Sequence, residues 1–376
     1  MRLLRRSPGS GGNLPRGDPV ATVGVDALGA DRGPVEVAAA AADATARGTR
    51  CILFGPANEI RHEVGELPAG VELVDAPDAI TNLDEPAQAA RSKTNASIVQ
   101  AARSLADGRT QALVTAGSTG AALAASLIHV KRLPGVYRPA LAVLVPVPGH
   151  PVLLLDVGAN VEVRPEHLVQ FAFMGAAFSE SVLGVKRPRV GLLSVGEEAS
   201  KGTADVLAAH ERLAALPDPP FEWAGNVEGF GLTAGEADVL VTDGFTGNVT
   251  LKVTEGTAKA VTGAIRDAIR SGTVSKLGGL LVRRRLASLR ETLSPDTVGG
   301  AYLLGLRKLV VVCHGNSSRR AISNAIALAE RGVEERLVEN MSAALQAAGV
   351  MRVASPPGTD DLPAGASVIA DSVSGR

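Results

Sequence analysis

Seven short segments of the chain place glycine beside Ser, Thr, Asn or Asp directly after an apolar run. Glycine permits tight turns, and a small polar residue at a helix start leaves backbone N–H groups directed at a bound anion. One such turn is most often an ordinary capped connection, but seven turns at one sheet edge predict a polar crevice that holds an anion. The segments are VDALGAD (25–31), TAGSTGAA (115–122), DVGAN (156–160), SVGEEASKG (194–202), GNVEG (225–229), TDGFTGN (242–248) and CHGNSS (313–318).

Two ionisable residues in these turns could act on an anion. Lys201 stands near an expected helix start, where it could offset negative charge or pair on the surface with Glu197 or Glu198. His314 ends an apolar, strand-like run. Its neighbour Cys313 is expected to be buried and structural, because adjacent residues of a strand point to opposite faces.

Known cofactor motifs are missing from the sequence. Residues 196–203 carry the Lys and Gly of a P-loop in transposed order, and residues 229–235 are one residue too long for a dinucleotide-binding loop. No HExxH, CxxC or GxSxG motif occurs. We therefore expect no metal and no cofactor.

Apolar β-branched runs alternate with Ala-rich helical patterns along most of the chain. This alternation predicts an α/β fold with a mainly parallel, doubly wound sheet. Region 252–298 breaks the alternation with two helical patterns, which predict a projecting helical hairpin for dimer or membrane contact. The strand candidates are 21–27, 50–55, 71–76, 111–117, 139–146, 151–158, 189–196, 238–244 and 308–315.

Composition narrows the class of protein. The 376 residues carry a net charge of −1 and only 3% aromatic residues, so neither a basic field nor a supply of stacking rings points to nucleic acid. Two cysteines in apolar runs argue against a disulfide framework and fit a reducing compartment. No apolar stretch is long enough to span a bilayer, and the basic N-terminus lacks the apolar core of a signal peptide.

The turns belong to longer motifs that together resemble the PlsX family, the phosphate acyltransferases of bacterial phospholipid synthesis. The motifs follow the family order over about residues 21–335. Departures from the family pattern include Ala30, Ser118, Phe230-Gly231 and Ser318, and the last two remove polar groups near the expected crevice. The motifs are VDALGADRGP, TAGSTGA, RLPGVYRPALA, LLDVGANVEVRPEHLVQFAFMG, GLLSVGEEASKG, GNVEG, VTDGFTGNVTLKVTEG and GGAYLLGL.

The resemblance implies a cytosolic homodimer that moves a long-chain acyl group from acyl-[acyl-carrier protein] to inorganic phosphate. The acyl phosphate would then serve a membrane glycerol-3-phosphate acyltransferase, so contact with anionic lipid at the inner face of the cell membrane is a further expectation. The implied fold is a three-layer α/β/α sandwich like that of isocitrate and isopropylmalate dehydrogenases. Its catalytic domain would occupy 20–350, between disordered tails at 1–19 and 351–376.

Acyl transfer to phosphate requires a phosphate cradle, donors for the oxyanion of the thioester and an acid for the leaving thiolate. We expect Lys201 to offset charge, Asn160 to orient phosphate or thioester, and His314 to protonate the thiolate. Carboxylates repel phosphate, so the aspartates are expected to fix loops instead. The expected phosphate and thioester ligands are Gly117, Ser118, Thr119, Gly120, Asn226 and Asn248, and the loop-fixing residues are Asp26, Asp156 and Asp243.

Two basic segments leave the positions of the partners open. Residues 276–290 (KLGGLLVRRRLASLR) mix apolar residues with arginines, which fits both an interfacial helix and an ordinary dimer helix. The acidic carrier protein could dock at Arg283, Arg284 and Arg285, or at Arg91 and Lys93.

Three other functions remain open from the sequence. A phosphotransacetylase-like enzyme would differ only in taking acyl-CoA as its donor. A decarboxylating dehydrogenase of the same fold would need a nucleotide pocket and clustered metal carboxylates, which no motif supplies. A non-catalytic lipid-binding or scaffold protein would not need so many polar glycine turns.

Overall fold

The computed structural model describes residues 21–147, 151–292 and 299–352, without the side chains of 286–292. The predicted tail at 1–19, residues 353–376 of the other predicted tail and the last residues of the predicted hairpin, 293–298, lie outside the described residues.

Eleven strands form one sheet in this part of the chain. Most are short Val-, Leu- and Ile-rich runs, as expected of strands that are buried on both faces. Nine correspond to the strand candidates, whereas Glu222–Val227 and Ala301–Leu304 are additional. The strands are β1 (Thr22–Asp26), β2 (Arg50–Gly55), β3 (Val71–Asp75), β4 (Ala112–Thr115), β5 (Ala140–Val145), β6 (Val152–Leu155), β7 (Arg189–Leu193), β8 (Glu222–Val227), β9 (Val239–Val241), β10 (Ala301–Leu304) and β11 (Leu309–Val312).

Twelve α-helices connect the strands within the described residues. Several begin with the expected chemistry, since Thr203, Asp243 and Ser318 each accept a backbone N–H group of the helix that follows. The helices are α1 (Pro34–Thr45), α2 (Ala57–Val64), α3 (Pro86–Ser92), α4 (Ser97–Ala106), α5 (Thr119–Ala125), α6 (Pro165–Phe178), α7 (Ala204–Ala214), α8 (Gly229–Ala234), α9 (Gly244–Arg270), α10 (Thr273–Thr292), α11 (Arg319–Glu334) and α12 (Leu337–Ala347). Two π-helical turns, Ser126–Val130 and Ser179–Leu183, extend α5 and α6.

The sheet consists of two parallel halves that run in opposite directions. The strand order is β3-β2-β1-β4-β11-β10-β5-β6-β9-β7-β8. The first five strands are mutually parallel, and so are the last four. Between them, the pairs β11-β10, β10-β5 and β5-β6 are antiparallel. These three reversals turn the second half around relative to the first.

The reversal places the seven glycine turns at two opposite sheet edges. Edge A carries the turns after β1, β4 and β11, at residues 26–31, 115–120 and 313–318. Edge B carries the turns after β6, β7, β8 and β9, at residues 156–161, 194–202, 228–231 and 242–248. The expectation that all seven turns share one edge is therefore wrong, because it assumed that all the strands run in the same direction.

Helices cover both faces of this sheet. Alternate residues of β2 enter two separate buried clusters, with Cys51 and Leu53 in one and Ile52 and Phe54 in the other. The first cluster also contains residues of α1, α6, α11 and α12, and the second contains residues of α4 and α5. Burying each Leu or Phe contributes about 1.5–3 kcal/mol. The prediction of an α/β fold with a mostly parallel sheet is confirmed.

Two consecutive helices occupy the region of the predicted hairpin. The first, α9, already begins at Gly244 rather than at 252. A side chain at Gly279 of α10 would collide with Ile269 of α9, so the two helices pack against each other there. Exposed apolar residues on this pair include Val253, Val274 and Leu281.

Candidate active site

The turn after β6 is built around the buried carboxylate of Asp156. Its Oδ1 accepts the backbone N–H groups of Leu141, Gly158 and Ala159 at 2.9, 3.2 and 3.0 Å. Its Oδ2 accepts the backbone N–H and the side-chain amide of Asn160 at 2.7 and 2.8 Å. Burial raises the pKa of Asp156, and these hydrogen bonds oppose the rise. The carboxylate thus ties the turn to the start of β5.

Asn160 and the first turn of α9 meet at edge B. Asn160 Nδ2 also donates to the carbonyl of Pro139 at 2.7 Å, and the Gly244 N–H donates to the carbonyl of Asn160 at 2.7 Å. Asp243 caps α9 by accepting the N–H of Thr246 at 2.8 Å. The N-terminus of a 27-residue helix, with its partial positive charge, is thereby held beside Asn160.

Gly247 shows how closely α9 approaches the β6 turn. A side chain at this position would collide with the backbone carbonyl of Asp156, so only glycine allows the contact. The next residue, Asn248, is exposed on the first turns of α9. It therefore stands where a ligand at edge B could reach its amide.

The loop after β7 brings Lys201 to the same edge. The Lys201 carbonyl accepts the Ser194 hydroxyl at 3.0 Å and Asn226 Nδ2 at 3.1 Å. Its side chain is exposed, and within the described part of the chain no ion pair joins it to Glu197 or Glu198. The loop backbone is pinned, whereas the ammonium group faces solvent.

The buried side chain of Asn226 holds this loop in place by hydrogen bonds to its backbone. It is only 5% exposed, and its Nδ2 also donates to the carbonyl of Glu198 at 2.8 Å. Its Oδ1 lies 3.0 Å from His210 Nδ1, and the histidine must donate because an amide oxygen only accepts. The side chain therefore positions the loop of Lys201, and its expected contact with substrate stays a prediction.

At edge A, the turn after β1 is held by the buried carboxylate of Asp26. Its Oδ1 accepts the hydroxyl of Ser97 and the N–H of Leu28, and its Oδ2 accepts the Thr115 hydroxyl at 2.7 Å. Thr115 Oγ1 in turn accepts the N–H of Gly117 at 3.0 Å. Burial raises the pKa of Asp26 to about 6, although the hydroxyl hydrogen bonds act to lower it.

The expected phosphate ligands 117–120 and the expected acid His314 also lie at edge A. Residues 117–120 are partly buried, and a Cβ on Gly29 would lie 2.8 Å from the Cα of Gly117. His314 is exposed, and its Nδ1 accepts the N–H of Asn316 at 3.3 Å. Its Nε2 is therefore the ring nitrogen that is available to solvent.

The sheet keeps these two groups of residues apart. Neighbouring strands lie about 4.8 Å apart, and β4 is separated from β6 by three strands. Ser118 and Lys201 both follow the carboxyl ends of their strands, but these ends lie at opposite edges of the sheet. The structure thus brings together Asn160, Lys201, Asn226, Asp243 and Asn248 at edge B, and separately Asp26, the turn 117–120 and His314 at edge A.

A buried histidine near edge B is not among the sequence candidates. His167 accepts the N–H of Arg164 through Nδ1 at 3.2 Å, and its ring lies 5.7 Å from that of Tyr137. Burial lowers the pKa of His167 to about 4, while Glu166 opposes this effect and Arg138 adds to it. The ring is neutral near pH 7. Arg164 and His167 do not match the Ser/Thr-x-x-Glu/Gln signature of a capping box, so no sequence signal marks this contact.

Edge B also exposes large apolar side chains. Val195, Phe230 and Phe245 are 82%, 59% and 62% exposed, and each follows a different strand. Val161, after β6, is 47% exposed. Exposed apolar groups beside polar turns mark a surface for an apolar ligand or another protein.

Neither a metal-binding cluster nor a membrane-spanning helix occurs among the described residues. No group of three or more His, Cys, Asp or Glu residues there could hold a metal ion. No helix in the same part of the chain has the length and apolarity needed to cross a membrane.

The fold is shared with phosphotransacetylases. The structure of a phosphotransacetylase from Streptococcus pyogenes matches with a TM-score of 0.56 at 17% identity, covering 84% of this chain and 94% of that chain. The branched-chain phosphotransacylase from Enterococcus faecalis V583 matches with a TM-score of 0.53 at 17% identity, covering 83% and 99%. At this level of identity the likeness defines the class of α/β fold.

Sequence comparison then defines the family. Residues 21–340 match the family described as Fatty acid synthesis protein. The phosphate acyltransferase of Heliobacterium modesticaldum is 41% identical over 321 residues, which cover 84% of this chain and 95% of that protein. The phosphate acyltransferase of Anaeromyxobacter dehalogenans is 41% identical over 330 residues, covering 87% and 91%. The chain belongs to the phosphate acyltransferase family, and the resemblance drawn from its motifs is confirmed.

Proposed function

We propose that the protein transfers a long-chain fatty acyl group from acyl-[acyl-carrier protein] to inorganic phosphate, giving acyl phosphate for phospholipid synthesis. Membership of the phosphate acyltransferase family makes it an enzyme of acyl transfer to phosphate. The carrier protein as donor and the long acyl chain are the further parts of the proposal.

The reaction makes one bond and breaks another without a redox change. A phosphate oxygen attacks the thioester carbonyl, a tetrahedral oxyanion forms, and its collapse breaks the C–S bond and expels the carrier thiolate. Phosphate is already an anionic nucleophile at neutral pH, so the main tasks of the enzyme are to hold charge and orient the two reactants. Each well-placed oxyanion donor is worth about 10²–10³ in rate.

The observation that carries the proposal is the group of donors at edge B. The exposed ammonium of Lys201, the amide of Asn248 and the N-terminus of α9 lie at the carboxyl ends of neighbouring strands. We assign charge compensation to Lys201 and orientation of the reactants to Asn248. The side-chain amide of Asn160 is used within the chain, so Asn160 acts by holding the start of α9 in place.

The expected roles at edge A form a second part of the proposal. Gly117, Ser118, Thr119 and Gly120 would cradle phosphate, and His314 would protonate the leaving thiolate. In one copy of the chain these residues stand apart from Lys201, so the relative effects of His314 and Lys201 variants decide whether edge A takes part in the reaction.

Exposed apolar residues at edge B support a long-chain donor. Val195, Phe230 and Phe245 lie exposed beside the polar turns, an arrangement suited to an amphiphile with a charged head and an apolar tail. Burying one methylene group contributes about 0.8 kcal/mol, so a few such contacts would favour long chains over short ones.

A homodimer with dehydrogenase-like layering, and delivery of product at the inner face of the cell membrane, complete the proposal. The helices α9 and α10 would form the projecting hairpin. Its exposed Val253, Ile265 and Leu277, together with Arg283 and Arg284 on α10, support contact with a second copy or with anionic lipid. The acyl phosphate would pass there to a membrane glycerol-3-phosphate acyltransferase.

Release of carrier thiol tests the reaction. Purified protein is incubated with palmitoyl-[acyl-carrier protein] with and without inorganic phosphate, and acyl phosphate is trapped with hydroxylamine. We expect thiol release that depends on phosphate and drops sharply in Lys201→Ala, while the distant Lys186→Ala control retains it. Release from palmitoyl-CoA alone would favour the phosphotransacetylase-like alternative, and no release from either donor would contradict the proposal.

A further inference from the structure

Two connections at edge B are unusually basic. Residues 131–138 read KRLPGVYR and residues 305–308 read GLRK, so these twelve residues contain five cationic side chains and no acidic one. The whole chain, by contrast, has a net charge of −1. The positive charge is therefore a local feature of these two connections.

Hydrogen bonds join the two connections into a single surface. The N–H of Arg307 donates to the carbonyl of Lys131 at 3.0 Å, and Arg307 Nε donates to the carbonyl of Arg132 at 3.1 Å. The guanidinium of Arg132 donates to the carbonyl of Tyr137. We call residues 131–138 and 305–308 the basic surface. The acceptors of Arg307 in these contacts are neutral carbonyls, which do not offset its positive charge.

Several other cations of the protein are held in ion pairs. Arg187, Arg319 and Lys93 lie 3.3, 2.5 and 2.8 Å from Asp218, Asp43 and Asp84. Among the described residues, no ion pair involves Lys131, Arg138, Arg307 or Lys308. A cluster of uncompensated charge attracts an oppositely charged protein and speeds its association.

The basic surface borders the candidate active site. Arg138 directly precedes Pro139, whose carbonyl accepts Asn160 Nδ2 at 2.7 Å. In the sheet, the connection 305–308 follows β10, and β10 and β6 both pair with β5. A protein that docks on this surface would thus sit next to the turns that carry Asn160 and the start of α9.

From these contacts we infer that the basic surface is the docking site for the acidic acyl-carrier protein. The inference rests on the proposed function, which makes that carrier the acyl donor. Docking there places the thioester beside edge B, and the charge complementarity acts mainly on the rate and strength of association. Two alternative positions for docking were expected from the sequence. At one of them the charge of Lys93 is offset by Asp84. The other, Arg283 and Arg284, lies on α10 and is tested separately below.

Binding of the carrier protein without its prosthetic group tests the surface alone, because no thioester then enters the active site. Fluorescence anisotropy of labelled apo-carrier protein is compared for wild type, Lys131→Glu/Lys308→Glu, Arg283→Glu/Arg284→Glu and Lys186→Glu/Arg187→Glu. The last pair makes the same charge change at the amino end of β7, on edge A. Circular dichroism checks that each variant is folded.

We expect the Lys131/Lys308 variant to bind at least about tenfold more weakly, with a flatter salt dependence, and the Lys186/Arg187 variant to match wild type. Equal binding by the Lys131/Lys308 variant and wild type would overturn the inference, as would loss of binding only in the Arg283/Arg284 variant. Wild type that binds the carrier protein but shows no phosphate-dependent thiol release would contradict the proposed function and leave the docking surface in place.

Discussion

At edge A, two hydroxyl groups and one backbone N–H group hold the buried carboxylate of Asp26, whereas at edge B five N–H hydrogen bonds surround Asp156. A hydroxyl group can donate or accept, so the edge A turn can keep its hydrogen bonds when Asp26 binds a proton. N–H groups only donate, so the hydrogen bonds of the edge B turn depend on the two carboxylate oxygens of Asp156 as acceptors. The two edges are alike in sequence but differ in how firmly their loops are fixed.

Removing each carboxylate should expose this difference most clearly. Asp156→Ala leaves several buried N–H groups without an acceptor, so we expect it to lower the free energy of unfolding by about 3–5 kcal/mol. Asp26→Ala should cost less, about 1–2 kcal/mol, because the freed hydroxyl groups can find other partners. Urea unfolding measures both, and equal losses would show that the two turns are equivalent.

The second comparison is the loss of catalytic activity when one ionisable residue is removed from each edge. Lys201→Ala is expected to lower kcat/KM about 10²–10³-fold with the fold intact, because the uncompensated charge at edge B is lost. His314→Ala at edge A should lower kcat/KM less than about tenfold if edge B alone holds the reactants. Steady-state kinetics with palmitoyl-[acyl-carrier protein] measures both. Equal losses would mean that edge A contributes directly to the reaction.

The pH dependence of stability gives a third comparison. The pKa of Asp26 rises from 3.8 to about 6 on folding, so the folded protein holds the proton of Asp26 more tightly than the unfolded chain does. This contribution to the free energy of unfolding is complete below about pH 3.8 and is lost as pH rises through about 6. Asp26→Asn removes this titration. The stability of the Asp26→Asn variant relative to wild type should therefore increase by about 2 kcal/mol between pH 4 and pH 7. A constant difference across this range, measured by urea unfolding, would contradict the raised pKa.

The smallest expected effect concerns the cap of α9. Asp243→Ala removes the acceptor for the N–H of Thr246 and should destabilise the protein by about 1 kcal/mol. Asp243→Asn keeps a capping oxygen and should cost less than half as much. If Asp243→Ala instead removed activity without affecting urea unfolding, Asp243 would act on substrate rather than as a cap.

Much of the fold could be predicted from the sequence, because buried strands are short apolar runs and each glycine turn marks the end of one. Two strands could not be found in this way. Residues 222–227 (EWAGNV) at the sheet edge are partly exposed and polar, and Ala301–Leu304 is only four residues long. Edge position and short length both weaken the apolar pattern that marks a strand.

The division of the site between two edges had one signal in the sequence. The strand candidates 139–146 and 151–158 are separated by only four residues, and a connection that short joins antiparallel strands, since a parallel pair needs about a dozen residues or more. The antiparallel pairing of β10 with β11 could not be predicted, because β10 itself was not among the strand candidates. Residues such as Asn226, whose buried amide binds Glu198 and His210, depend on packing that a turn motif does not encode.

The close contact of Gly247 with the backbone of Asp156 fixes the N-terminal end of α9 at one point. A helix of 27 residues is about 40 Å long. The Gly247 contact lies within one helical turn of Gly244, which bonds to the carbonyl of Asn160. Tilting it by about 5° about that point moves the far end by about 3 Å. A small rotation of α9 at this contact therefore corresponds to a large displacement of its distal end.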